Sequence, residues 1–298
     1  MEECFCEVGE VTLCYERFGD PADPAVLLMM GLGTQMIAWQ KEFCEEVAGR
    51  GFHVIRFDNR DVGRSTSLDH VKPPTRGEIL RRRPRLPAYT LSDMAADAAG
   101  LLDYLDIKAA HVVGASMGGM IAQMLAAEHP ERVLSLVSIM STTGSVFVGQ
   151  PALRLYPYLL RPPPREREAY VDAMVLLLGA IGGPGFHRDE EDLRRLAALS
   201  YERGVNHHGT ERQVAAILAS GNRTGVVRGI TAPTLVIHGK SDRLVRPSGG
   251  RATAKAIKGA RLDLIEGMGH DLPRGVWPRI IDGIANNAAR AAGDAVPA

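Results

Sequence analysis

Six short apolar runs punctuate the chain: residues 25–30 (AVLLMM), 53–57 (HVIRF), 111–114 (HVVG), 133–140 (VLSLVSIM), 234–238 (TLVIH) and 262–265 (LDLI). They are rich in Val, Ile and Leu and do not alternate with polar residues, as strands buried on both faces of a parallel sheet do not. Helix-like stretches separate them. Residues 39–48 are amphipathic, 91–105 follow Thr90 as an N-cap with Asp93 in the first turn, 117–128 stop at His129-Pro130, and 278–292 carry apolar residues at helical spacing. Strands alternating with helices predict an α/β fold with a mostly parallel, doubly wound sheet. Residues 7–18 add a leading antiparallel hairpin, with strands around Cys6 and at 11–15.

The rhythm breaks twice. Residues 66–88 form a long polar loop containing RRRPRLP; its arginines (Arg76, Arg81, Arg82, Arg83, Arg85) read as a solvated cluster. Residues 143–228 contain helix-like pieces at 168–178, 190–201 and 210–220 but no strand signal. Both flanks of that segment are strands of the same sheet. The expected organisation is therefore a core of residues 1–142 and 229–298, with a helical cap, 143–228, over the carboxyl edge where such sheets bind ligands. The last residues, 291–298, read as a frayed tail.

Charge narrows the partners. Lys plus Arg and Asp plus Glu number 35 each in 298 residues, which leaves no electrostatic footprint for nucleic acid or an anionic membrane. The acidic start, MEECFCEVGE, has no apolar core and is not a signal peptide, and no run of about twenty apolar residues exists. Cys4, Cys6, Cys14 and Cys44 form no CxxC pair, and no cluster of metal ligands surrounds them. They read as reduced thiols in a cytoplasmic protein without a metal site, expected as a monomer or homodimer that takes a small-molecule partner.

Gly114-Ala115-Ser116-Met117-Gly118 fits G-x-S-x-G, and its context is a strand before and a helix after. Such a corner exposes a serine at a strained turn, provided its neighbours two positions away are tiny. A serine hydroxyl needs a base and a group that orients the base. Among the histidines other than His270, His53, His111 and His238 sit on strands as packing or rim residues, His129 ends a helix, and His187, His207 and His208 fall in the cap. His270, on a glycine-flanked loop after the last strand, is the expected base. Asp242 follows the strand at 234–238 and completes the order Ser…Asp…His; Asp263 lies inside a strand and is the alternative acid. An oxyanion would be held by the N–H groups of Leu32, in Met30-Gly31-Leu32-Gly33, and Met117, at the helix N-terminus. Gly31, Met140, Leu176 and His207 are candidate substrate contacts, in a pocket whose methionines and leucines suggest an apolar or aromatic acyl group.

MGLG (30–33), DNRDVGRS (58–65), GASMGG (114–119), HGKSD (238–242) and GMGH (267–270) together resemble the α/β-hydrolase superfamily over nearly the whole chain. Within it, GDPADPA at 19–25 and a Met-Gly before the oxyanion loop are similar to aclacinomycin methylesterase-type bacterial serine esterases; many relatives have His where Met30 stands. The resemblance implies carboxylic ester hydrolysis without metal or organic cofactor. It also implies that the Asp58–Arg60 turn braces the loops around the site rather than taking part in the chemistry. A cofactor-free haloperoxidase or perhydrolase and a C–C bond hydrolase would use the same three residues. A non-catalytic binding protein on this fold is a more remote alternative.

Overall fold

The computed structural model describes residues 2–82, 84, 87–159, 164–206 and 208–293. Among these, β1 (Cys4–Val8), β2 (Val11–Phe18), β3 (Ala25–Met29), β4 (His53–Phe57), β5 (Ala110–Ala115), β6 (Val133–Ile139), β7 (Thr234–Gly239) and β8 (Arg261–Ile265) form one sheet, in the order β1-β2-β4-β3-β5-β6-β7-β8. β1 pairs antiparallel with β2, and β2 with β4; every other pairing is parallel. The helices in chain order are α1 (Lys41–Ala48), α2 (Arg76–Leu80), α3 (Leu91–Tyr104), α4 (Met117–Glu128), α5 (Tyr156–Leu159), α6 (Arg167–Ile181), α7 (Glu190–Arg203), α8 (Gly209–Ser220), α9 (Thr224–Val227), α10 (Ser248–Ala256) and α11 (Trp277–Ala292). Among the described residues no helix is long and apolar enough to cross a membrane.

The strands lack polar alternation because each face of the sheet is covered. On one face Leu27, Ile55, Val112 and Leu136 pack with Leu101 and Leu102 of α3 and Ile121 and Leu125 of α4. On the other, Val26, Leu28, Val54, Val113 and Val137 pack with Phe43 and Val47 of α1 and Ile280, Ile281 and Ile284 of α11. Each such side chain, fully buried, contributes about 1.5–3 kcal/mol.

Strand order places the site. From β3 the chain steps outward to β4, then returns past β3 to β5 on its other side. The crevice opened at such a reversal, beyond the carboxyl ends of the strands, is where open α/β sheets bind ligands. The residues there are Met30-Gly31-Leu32 after β3 and Ser116 after β5, and Met29 is in register with Gly114.

Two segments differ from the sequence reading. Residues 66–88 are not wholly loop, since they contain α2. Thr75 accepts from the Glu78 N–H while the Glu78 carboxylate accepts from the Thr75 N–H, a capping box that starts a helix behind Pro73-Pro74. Of the arginine cluster, Arg83 and Arg85 lie outside the described residues, and Arg82 donates to Gln150 Oε1 at 3.1 Å. The second is α10, whose two early glycines, Gly249 and Gly250, weaken any helical signal. Between β6 and β7 the chain runs through α5, α6, α7, α8 and α9, with no strand among the described residues.

Candidate active site

β5 ends at Ala115, α4 begins at Met117, and Ser116 sits between them with φ 56° and ψ −117°. That left-handed backbone is costly for any residue but glycine. It is held by the Ser116 N–H, which donates to Ile139 O at 2.9 Å, and by close backbone packing. A Cβ at Gly114 would lie 2.1 Å from Gly118 O, and one at Gly118 would lie 2.2 Å from Met29 O. Strand and helix can therefore meet at this corner only without side chains at these positions. Gly114→Ala is expected to cost about 3 kcal/mol, read as a lower denaturant midpoint at unchanged slope; a neutral substitution would mean the corner has slack.

Three side chains from three loops meet here. His270 Nε2 lies 2.9 Å from Ser116 Oγ, and His270 Nδ1 lies 2.7 Å from Asp242 Oδ2. The other carboxylate oxygen, Oδ1, accepts from the N–H groups of Leu244 and Val245, each at 2.9 Å. The loops carrying Asp242 and His270 are tied to one another, since the Ser241 N–H donates to Met268 O at 2.9 Å. The loop carrying His270 is also tied to α6: the His270 N–H donates to Ile181 O at 2.9 Å. Burial works against charge on Asp242, but the imidazoles of His270 and His238 outweigh it and hold the carboxyl below its usual range. A depressed folded value stabilises the fold above the unfolded carboxyl range, and that contribution is lost as pH falls through the folded value. Asp263, the alternative acid, instead pairs with Arg279 on the surface, its Oδ2 accepting from Nε at 2.9 Å.

Gly31 lies against the serine: a Cβ on it would stand 3.0 Å from Ser116 Cβ and 3.5 Å from Oγ. The next N–H along, Leu32, and the first of α4, Met117, have no protein acceptor among the described residues. The loop carrying Leu32 is braced from two sides. Asn59 Nδ2 donates to Met30 O at 3.0 Å, and Gln213 of α8 accepts from the Gly33 N–H at 2.8 Å while donating to Arg60 O at 2.9 Å. Met140, buried with φ 44°, follows the residue that holds the Ser116 N–H. Leu176 is 56% exposed on α6, and His207 lies outside the described residues.

The 58–65 stretch meets the helices from between β6 and β7 through two buried ion pairs. Arg203 Nη2 of α7 lies 2.9 Å from Asp58 Oδ2; Arg212 of α8 grips Asp61 with Nε and Nη2 at 2.8 and 2.7 Å. Burial pushes the Cys14 and Cys44 thiols up to about 12 and also raises Cys6, so these thiols stay protonated at neutral pH. Sequence reasoning passed over two residues here. Gln213 gave no signal, but His238 did: it stands four positions before Asp242 and lies 3.3 Å from its carboxylate.

The family model described as "alpha/beta hydrolase fold" matches residues 24–273. Rhodomycin D methylesterase DauP of Streptomyces sp. (strain C5) is 32% identical over 292 residues, covering 90% of this chain and 91% of that protein. Rhodomycin D methylesterase DnrP of Streptomyces peucetius is 31% identical with the same coverage. Among solved structures, the enol-lactonase from Burkholderia xenovorans LB400 superposes with a TM-score of 0.72 at 24% identity, over 97% of this chain and all of that one. That likeness bears on the fold alone.

Proposed function

Because the chain belongs to the α/β-hydrolase family, we propose that it hydrolyses carboxylic esters through an acyl-enzyme on Ser116. The observation that carries this reading is the hydrogen-bonded line from Ser116 Oγ through His270 to Asp242, at 2.9 and 2.7 Å, beside the N–H groups of Leu32 and Met117, which have no protein acceptor among the described residues. Ser116 Oγ attacks the ester carbonyl carbon as its proton passes to His270 Nε2. The negative oxygen is stabilised by the Leu32 and Met117 N–H groups. His270 returns the proton to the alcohol as its bond to the carbonyl carbon breaks, takes one from the water that attacks the acyl-enzyme, and passes that proton to Ser116 Oγ as the acyl–Oγ bond breaks and the acid leaves. Asp242 keeps the Nδ1 proton in place, which fixes the tautomer that leaves Nε2 free to accept.

Similarity to two rhodomycin D methylesterases favours a methyl ester as the small-molecule substrate, and the methionines and leucines expected around the site favour an apolar or aromatic acid. In this reading residues 143–228 are a helical cap over the crevice, pinned to the core by the Arg203–Asp58 and Arg212–Asp61 pairs. A panel of esters varied separately in acyl and alcohol part tests the assignment. Methyl esters of large aromatic acids are expected to give the highest kcat/KM, with activity falling as the alcohol grows. Turnover confined to a vinylogous diketone, or dependent on added peroxide, would contradict it.

A further inference from the structure

His238 is a second imidazole on Asp242, and the acyl-transfer steps do not use it. It lies near the end of β7 and is fully buried. Its Nε2 stands 2.7 Å from Val245 O and 3.3 Å from Asp242 Oδ2. A carbonyl oxygen only accepts, so Nε2 carries the proton. Nδ1 is buried without a hydrogen-bond partner, and α10 closes over it: a Cβ on Gly250 would lie 2.5 Å away. A second proton at Nδ1 would be desolvated with nothing to receive it. The geometry therefore places a ring proton on Nε2 and leaves Nδ1 without a partner. From β8 its register partner is Leu264; the titratable groups facing it are Asp242 and, across that carboxylate, His270.

We propose that His238 is a positioning residue for the hydrolysis: its Nε2–H, shared between Val245 O and Asp242 Oδ2, fixes the carboxylate against His270 and draws on part of its negative charge. The inference rests on the ester-hydrolase reading of the site. Asp242 Oδ2 meets His270 Nδ1 at 2.7 Å with His238 Nε2 3.3 Å away, and Oδ1 accepts from two backbone N–H groups, so the carboxylate is held from both oxygens. Without the His238 donor, more of the charge on Asp242 stabilises the His270 imidazolium, so the acidic limb of the pH profile moves to higher pH.

The test compares His238→Leu, which removes the donor, with His238→Gln, which can present an N–H at a similar reach, on a short nitrophenyl ester. His238→Leu is expected to lose about tenfold in kcat with KM within about twofold, and to shift the acidic limb of kcat/KM up by about half a pH unit. His238→Gln should recover most of both. A folded Leu variant with wild-type kcat and limb, or a Gln variant no better than Leu, overturns the proposal. A second measurement needs neither variant nor ester. Long-range proton–nitrogen spectra of the wild-type protein at neutral pH should show His238 as the Nε2–H tautomer, and a His238 protonated on Nδ1 instead overturns it. Wild-type protein inactive on every ester would instead sink the ester reading, an outcome distinct from either.

Discussion

Ser116→Ala is expected to lower kcat for ester hydrolysis by about ten-thousand-fold or more. The residual rate would come from binding and the oxyanion N–H groups alone, because the attacking atom is gone. The fold should survive, since the substitution removes one hydroxyl from a partly exposed corner and leaves the Ser116 backbone bond to Ile139 in place. A companion variant separates chemistry from strain. Ser116 holds φ 56° and ψ −117°, a conformation that costs a non-glycine residue about 1–3 kcal/mol. Ser116→Gly is therefore expected to be as inactive as the alanine variant yet to melt at a higher temperature. Activity retained in either variant would remove Ser116 from the chemistry. A glycine variant that melts lower than wild type would show that the corner is not strained.

Arg212→Met is expected to destabilise the protein by about 3–5 kcal/mol, because it strands a buried carboxylate. Asp61 is 1% exposed and sits in a nest of donors: both Arg212 nitrogens, the Tyr89 hydroxyl at 2.8 Å and the Leu68 N–H at 2.8 Å. The neutral donors cannot offset the charge alone. Removing the charge at both ends, as Arg212→Met with Asp61→Asn, should restore much of the loss, and a denaturant titration of the three variants reads the coupling. Activity should fall along with stability in the single variant, since Gln213, the next residue of α8, holds the Gly33 N–H of the loop that carries Leu32. A single variant as stable as wild type would mean that this contact between α8 and the core is dispensable.

What could be read from the sequence follows from how local each cause is. Strands buried on both faces announce themselves as unbroken apolar runs, so the parallel order was accessible, and Val26, Leu28, Leu27 and Ile55 show the two covered faces. That Ser116, Asp242 and His270 would meet was legible because each residue follows its own strand. Pairings across long stretches of chain were not. Arg203 meets Asp58 across 145 positions and Arg212 meets Asp61 across 151, and no periodicity marks either arginine as a core group. α10 was hidden by Gly249 and Gly250. The latter leaves room for the His238 ring, so one glycine both obscured a helix and marked a packed imidazole.

The central claim, that Ser116 is an activated nucleophile, is tested most directly by treating the wild-type protein with a fluorophosphonate and locating the adduct by peptide mass spectrometry. The phosphonyl group is expected on Ser116 alone, formed rapidly at neutral pH, and abolished in Asp242→Asn, where His270 loses the carboxylate that fixes its tautomer. An unlabelled protein, or a label on any other residue, would contradict the account.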